Sequence, residues 1–276
     1  MELSNQGIKK LILYIILLLG AITMVFPFLW MISTSLKSEV TAYVFPPSLF
    51  PYPIYWQNYI EIWRLAPFGR FYFNSIIVAI ATTLGQLITC SFGAYAFSKC
   101  KFPGRDVLFL GYIATMMVPF SVTMIPLFIL IKGLEWIDKY EALIIPFLFS
   151  PYGTFLLRQF FMSIPEELTD AIKIDGGGHW INFLYVVIPL SKPALVTLGI
   201  FVFMFSWNNF LWPLVVINST LMKTLPVGIM FFQGQYAVYW TYIMAATAVT
   251  IIPLLILFLL AQRYFIEGIT LTGLKG

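Results

Sequence analysis

Five charged side chains, Glu166, Glu167, Asp170, Lys173 and Asp175, fall within ten residues of a 276-residue chain that is only 10% charged. Four carboxylates beside one lysine supply no nucleophile and base pair, so what this cluster offers is recognition of another surface by charge and hydrogen bonding. Other chemistry is sparse. The single histidine, His179, and the two cysteines, Cys90 and Cys100, match no metal-ligand spacing and no disulfide framework. Both cysteines read as structurally incidental, and His179 as a helix-start residue or a contact to a partner. The sequence has no Gly-Lys dipeptide and therefore no phosphate-cradling loop ending in Gly-Lys-Ser/Thr.

The elements that position the charged cluster can be read from its spacing. Ser163 followed three residues later by Glu166 forms a capping-box pattern, Pro165 sits where a missing N–H is harmless, and Glu166 and Glu167 suit the positive end of a helix. Ile164, Leu168, Ala171 and Ile172 recur at helical spacing as one apolar stripe, with Glu167, Asp170 and Lys173 off it. Gly176, Gly177 and Gly178 then break the helix, and a second helical run from His179 to Val187 ends near Pro189. A helix, glycine elbow and second helix of this kind either lies on a membrane surface or receives another protein. Helices that settle on anionic lipid carry Lys and Arg, whereas this polar face is mostly acidic, and the glycines are costly unless a sharp turn is wanted.

Around this insert the chain is 60% hydrophobic with a mean hydropathy of +0.89, the composition of an all-α integral membrane protein. It gives no reason to expect a nucleic-acid partner. Stretches free of Asp, Glu, Lys, Arg and His place six spans at about 11–33, 71–97, 107–131, 142–160, 194–218 and 241–263, the fourth being short and proline-bearing. The polar insert occupies 161–193 and a tail follows from 264. The first run is too long for a signal peptide and lacks a small-residue cleavage pattern, so it is expected to stay as an uncleaved anchor. An even count puts both termini on one side. With that side cytoplasmic, Lys9, Lys10, Lys99, Lys101, Arg105, Arg158, Lys173, Lys192, Arg263 and Lys275 lie inside, ten of the sixteen basic residues. Outside, 34–70 reads as an interfacial lid, and the apolar loop 219–240 needs cover from headgroups, from the chain itself or from a partner.

Within the spans, amides and hydroxyls usually bond to neighbouring helices. Trp207-Asn208-Asn209-Phe-Leu-Trp212-Pro213 stands out because paired amides beside indoles offer hydrogen bonds and ring faces to a polyhydroxylated solute, and Tyr152 is a further polar group. An ion-coupled secondary transporter is the alternative, but it would normally bury acidic or histidine residues in its spans, and these spans hold none.

The run Pro165-Glu-Glu-Leu-Thr-Asp170-Ala-Ile-Lys-Ile-Asp-Gly176, with Ile188-Pro189-Leu190 after it, resembles the EAA loop of permease subunits in carbohydrate-uptake ABC importers. Ala94 to Arg105 is similar to that family's first cytoplasmic loop, and Tyr264 to Gly276 resembles the carboxyl end of maltose-transporter G-type subunits. Asp170-Ala171-Ile172 replaces the family's common Glu-Ala-Ala, so Ile172 is expected to enlarge the docking face, and Gly177-Gly178 stands where Ala-Ser is usual. The resemblance implies a type I importer fold of six transmembrane helices with a cytoplasmic coupling helix between the fourth and fifth. It implies a heterodimer with a second permease, two copies of a cytoplasmic ATPase that bind ATP and Mg, an external solute-binding protein, and a sugar substrate. The chain itself would be no enzyme and would bind no cofactor or metal. Its location would be the cytoplasmic membrane of a bacterium or archaeon. Glu166, Glu167, Asp170, Ala171, Ile172, Asp175 and Gly176 would enter the ATPase, Glu267, Gly268, Gly273, Lys275 and Gly276 would reach between its subunits, and the fifth-span segment with Trp207, Asn208, Asn209 and Trp212 would lie near the solute path.

Overall fold

The computed structural model describes residues 2–234 and 238–273, with side chains described for 9–234 and 238–262. Among the described residues the structure is helical, and the one β feature is an isolated antiparallel bridge between Gln233 and Val238. Among these residues three helices are long and apolar enough to cross a membrane by themselves: Lys9–Ser35, Phe68–Lys99 and Trp240–Gln262. Three further pairs of helices qualify together, each bent at a short break.

The breaks are written in the prolines. Sequence patterning alone expects an uninterrupted third span, but Arg105–Met117 and Phe120–Gly133 meet at 97°. Pro119 excludes helical geometry from the residue before it, and Val118 is extended at φ −84°, ψ 115°. In the fourth segment Tyr140–Phe147 and Pro151–Met162 meet at 40°. There Ser150, which precedes Pro151, is extended, and its hydroxyl accepts the Gly153 N–H as an N-cap. The fifth segment keeps the break expected between Pro189 and Pro193 and departs from expectation at its far end. His179–Leu190 meets Lys192–Trp207 at 75°, and after Trp207 the helix stops before resuming at Leu211–Val216. Pro213 has no N–H to give the Asn209 carbonyl, which removes the bond that would carry the helix across Asn208 to Phe210.

The chain forms two compact units. The first comprises Met1–Phe68 with Ile229–Ile252. Its segment between the first two long helices, read above as a lid, is tied down by polar contacts: Asn58 Nδ2 donates to the carbonyls of Ser35 and Lys37 at 2.8 and 2.7 Å. Lys37 Nζ donates to Ser48 O at 2.5 Å and stands 4.9 Å from the Trp30 ring, while desolvation lowers its pKa.

The second unit, Gly69–Gly228 with Pro253–Gly276, holds the elbow and the broken helices. The core beneath the elbow gathers Leu157, Phe161, Ile164, Phe183, Val187 and Leu198. At the other end Asn74 Nδ2 donates to Leu221 O and Lys223 O, both at 2.9 Å, and Leu225 N donates to Ser75 Oγ at 2.7 Å. The first part of the apolar loop 219–240 is thus covered by its own chain.

Candidate functional site

The charged cluster forms a nine-residue helix, Glu166–Ile174. The expected capping box does not form. Ser163 instead ends the preceding helix, with its hydroxyl donating to Phe160 O at 2.7 Å, and Pro165 occupies the N-cap without a side-chain bond. Proline fixes the chain direction at Pro165, while Glu166 and Glu167 supply negative charge to the first turn.

At the other end the stop is a Schellman motif. Gly176 N donates to Lys173 O at 3.1 Å and Gly177 N to Ile172 O at 2.8 Å, with Gly176 left-handed at φ +78°. Gly176 needs glycine for conformation. Gly177 needs it for space, because a Cβ there would lie 2.6 Å from Ile172 Cγ2 and 3.0 Å from Ile172 O. Ile172 is accordingly half-buried against the elbow rather than a full addition to an outer face, and this partnership with Gly177 is legible only in three dimensions. The apolar stripe divides in the same way: Ile164 is 5% exposed, Leu168 is 42% exposed and Ala171 is exposed.

Electrostatics at the elbow are local. Lys173 Nζ and Asp170 Oδ1 pair at 2.7 Å, which holds the Asp170 carboxyl below and the Lys173 ammonium above their ordinary ranges. Both are solvent-facing, so this pair orients side chains more than it stabilises the fold.

Three contacts anchor the elbow to the Phe68–Lys99 helix. Lys99 Nζ donates to Ile164 O at 2.9 Å. The Tyr95 hydroxyl donates to His179 O at 3.1 Å and accepts from Asn182 Nδ2 at 3.1 Å, and Asn182 Nδ2 is also 3.5 Å from Thr169 Oγ1. His179 thus starts the second helix and packs edge-on to Tyr95. Sequence reasoning missed Tyr95 and Asn182, since nothing in the order of residues brings positions 95, 169 and 182 together. After Asn182 the helix widens to π geometry over Phe183–Val187, a form often found at functional sites.

The residues read as a solute path separate into two groups. Trp207 and Trp212 have no accessible ring face, at 1% and 0% exposed. Trp207 stacks on Phe203, and Trp212 Nε1 donates to Ala142 O at 2.8 Å, so the indoles close the core instead of presenting surfaces. Asn208 is exposed, but its Nδ2 bonds back to Met204 O, and Asn209 lines a small cavity beside Trp212. Tyr152 is 44% exposed and lines a larger one. Of the tail positions, Lys275 and Gly276 lie outside the described residues, and Glu267, Gly268 and Gly273 are described only as backbone of the Trp240–Gly273 helix.

Residues 89–270, which include the elbow, its anchors and the broken helices, match the family model of the binding-protein-dependent transport system inner membrane component. The chain belongs to this family. It is an all-α permease subunit of a binding-protein-dependent ABC importer. It is similar to the sn-glycerol-3-phosphate transport system permease protein UgpE of Yersinia enterocolitica, at 34% identity over 74% of this chain and 75% of that protein. The Escherichia coli K12 protein of the same name is 32% identical over the same shares. In three dimensions this permease is similar to a chain from the crystal structure of a bacterial ABC transporter involved in the import of the acidic polysaccharide alginate. The TM-score is 0.84, at 26% identity over 95% of this chain and 98% of the other.

Proposed function

We propose that the Glu166–Ile174 helix and its glycine elbow couple this permease to a separate cytoplasmic ATPase dimer, which holds ATP and magnesium and supplies the energy. The observation that carries this reading is the surface of the elbow. Leu168, Ala171, Ile174 and Trp180 are exposed beside Glu166, Glu167 and Asp170, with Ile174 86% exposed. Apolar side chains interleaved with carboxylates suit a protein groove better than anionic lipid. The Schellman stop and the Tyr95 anchor give the helix the stiffness that a lever needs.

Around this element we place six spans with both termini cytoplasmic, a second permease as heterodimer partner, and a binding protein that delivers a carbohydrate or related solute from outside. The basic residues of the elbow side support the orientation. The named relatives, one of an sn-glycerol-3-phosphate transport system and one of a transporter involved in the import of alginate, support the solute class. The end of the chain, from Glu267 to Gly276, is assigned to the same ATPase.

The test is reconstitution of the complete complex in proteoliposomes. Uptake should require ATP, be blocked by vanadate and be stimulated by the binding protein, and cysteine at Ile174 should crosslink to the ATPase. Uptake driven by an ion gradient without nucleotide would overturn the reading.

A further inference from the structure

Two of the helix breaks open on one cavity. Met116 and Phe120 lie on either side of the break at Val118 and Pro119, Phe149 and Ser150 belong to the break before Pro151, and all four line a space of about 550 Å³ with Gln86 and Phe205. Broken helices are tolerated at membrane depth where protein or a cavity satisfies the freed backbone groups. The second break meets this condition from one side: Gln86 Nε2 donates to Phe147 O at 2.6 Å, Thr89 Oγ1 donates to Leu148 O, and Cys90 Sγ donates to Ser150 O at 3.4 Å. The Phe68–Lys99 helix therefore fixes the break, and the cavity is a built feature of this unit.

Its lining has a distinct chemistry. Six of the twelve lining residues are aromatic and none is charged. Phe147 stands 5.9 Å from Phe120 and 6.1 Å from Phe205 between ring centroids, and Tyr152, Gln86 and Ser150 add neutral polar groups. The volume lies within the range of about 300 to 1,000 Å³ usual for small-molecule sites, whose walls are mostly apolar with a few placed polar atoms.

We infer that this broken-helix cavity is the solute-contacting surface of the permease and that it takes a neutral pyranoside rather than an anion. The inference rests on the importer reading above. Pyranose rings present C–H faces that lie against aromatic rings, while their hydroxyls use groups such as those of Tyr152 and Ser150. A phosphate or uronate would lose its hydration among these rings with no cation in the lining to compensate. The solute class thereby differs from the sn-glycerol 3-phosphate and acidic alginate that the relatives' names specify.

The experiment uses the whole importer in proteoliposomes, with Cys100→Ser removing the half-buried native thiol and Tyr152→Cys as reporter. Maltose, maltotriose and raffinose serve as neutral probes, and sn-glycerol 3-phosphate and an alginate trisaccharide as anionic ones. A neutral probe with binding protein and ATP should slow maleimide labelling of Tyr152→Cys, and the anionic probes should not. Phe205→Ala should lower neutral uptake about tenfold, equivalent to about 1.4 kcal/mol. Binding-protein-stimulated ATP hydrolysis is read in the unsubstituted complex. Protection by the anionic probes, protection by neither class, or undiminished uptake by Phe205→Ala overturns the cavity assignment while hydrolysis remains intact. Absence of stimulated hydrolysis in the unsubstituted complex instead overturns the importer reading itself.

Discussion

Asn182 Nδ2 donates to the Tyr95 hydroxyl at 3.1 Å and so ties the second helix of the elbow to the C-terminal end of the Phe68–Lys99 helix. The same hydroxyl donates to His179 O, so one oxygen fixes two positions of the second elbow helix. A force applied at the Glu166–Ile174 helix then has a short, hydrogen-bonded route into a membrane-spanning helix.

Tyr95→Phe removes that oxygen and keeps the ring. The buried Asn182 amide loses its shorter contact, and stability should fall by about 1 to 2 kcal/mol. The diagnostic readout is the ratio of solute moved to ATP hydrolysed, which should drop while hydrolysis persists. An unchanged ratio in proteoliposomes would mean that the link only holds the fold.

Gly176→Ala and Gly177→Ala should fail for different reasons. At Gly176 nothing lies within 4 Å of the added Cβ, so the cost of about 1 to 2 kcal/mol comes from the left-handed backbone. At Gly177 the added methyl meets Ile172. Ile172→Ala should therefore partly restore ATPase association to Gly177→Ala but not to Gly176→Ala. Pull-down of the complex measures both pairs, and equal rescue would refute the distinction.

Trp212→Phe tests whether the indole packs or contacts solute. The structure predicts an unpaired buried Ala142 carbonyl and a loss of about 1 to 3 kcal/mol in stability, read as a lowered Tm in detergent. The order of preference among sugars should not change. A changed order with unchanged Tm would return Trp212 to the solute path.

The Asp170 and Lys173 pair sets a pH expectation. A depressed Asp170 pKa contributes stability that is present above the ordinary carboxylate range and lost as pH falls through the folded value, and a raised Lys173 pKa contributes stability lost only as pH rises above the ordinary ammonium range. Between about pH 6 and about pH 9 the pair is therefore constant. ATPase association should be flat across that window in Asp170→Asn and the unsubstituted complex alike, by titration of pull-down yield against pH. A step near neutral pH that Asp170→Asn abolishes would contradict the assignment.

Much of this protein is legible in its order of residues. Charge-free runs of span length mark the apolar segments, because a bilayer accepts helices of a narrow length and composition. Three glycines after Ile174 and Asp175 announce the stop, because only glycine takes φ of +78° without strain. The carboxylates of Glu166 and Glu167 mark the start of that helix even though the capping bond assigned to Ser163 does not form. The order of residues thus marks a helical membrane protein with a glycine-ended charged helix set between its apolar segments. Tertiary structure alone decided which polar and aromatic groups meet. Tyr95 reaches Asn182 across 87 positions and Trp212 reaches Ala142 across 70, distances over which local periodicity carries no information. It also turned the indoles of the fifth segment inward, since a ring gains more from complete burial than from a half-covered face, and left the breaks beside Pro119 and Pro151 to form the open surface instead.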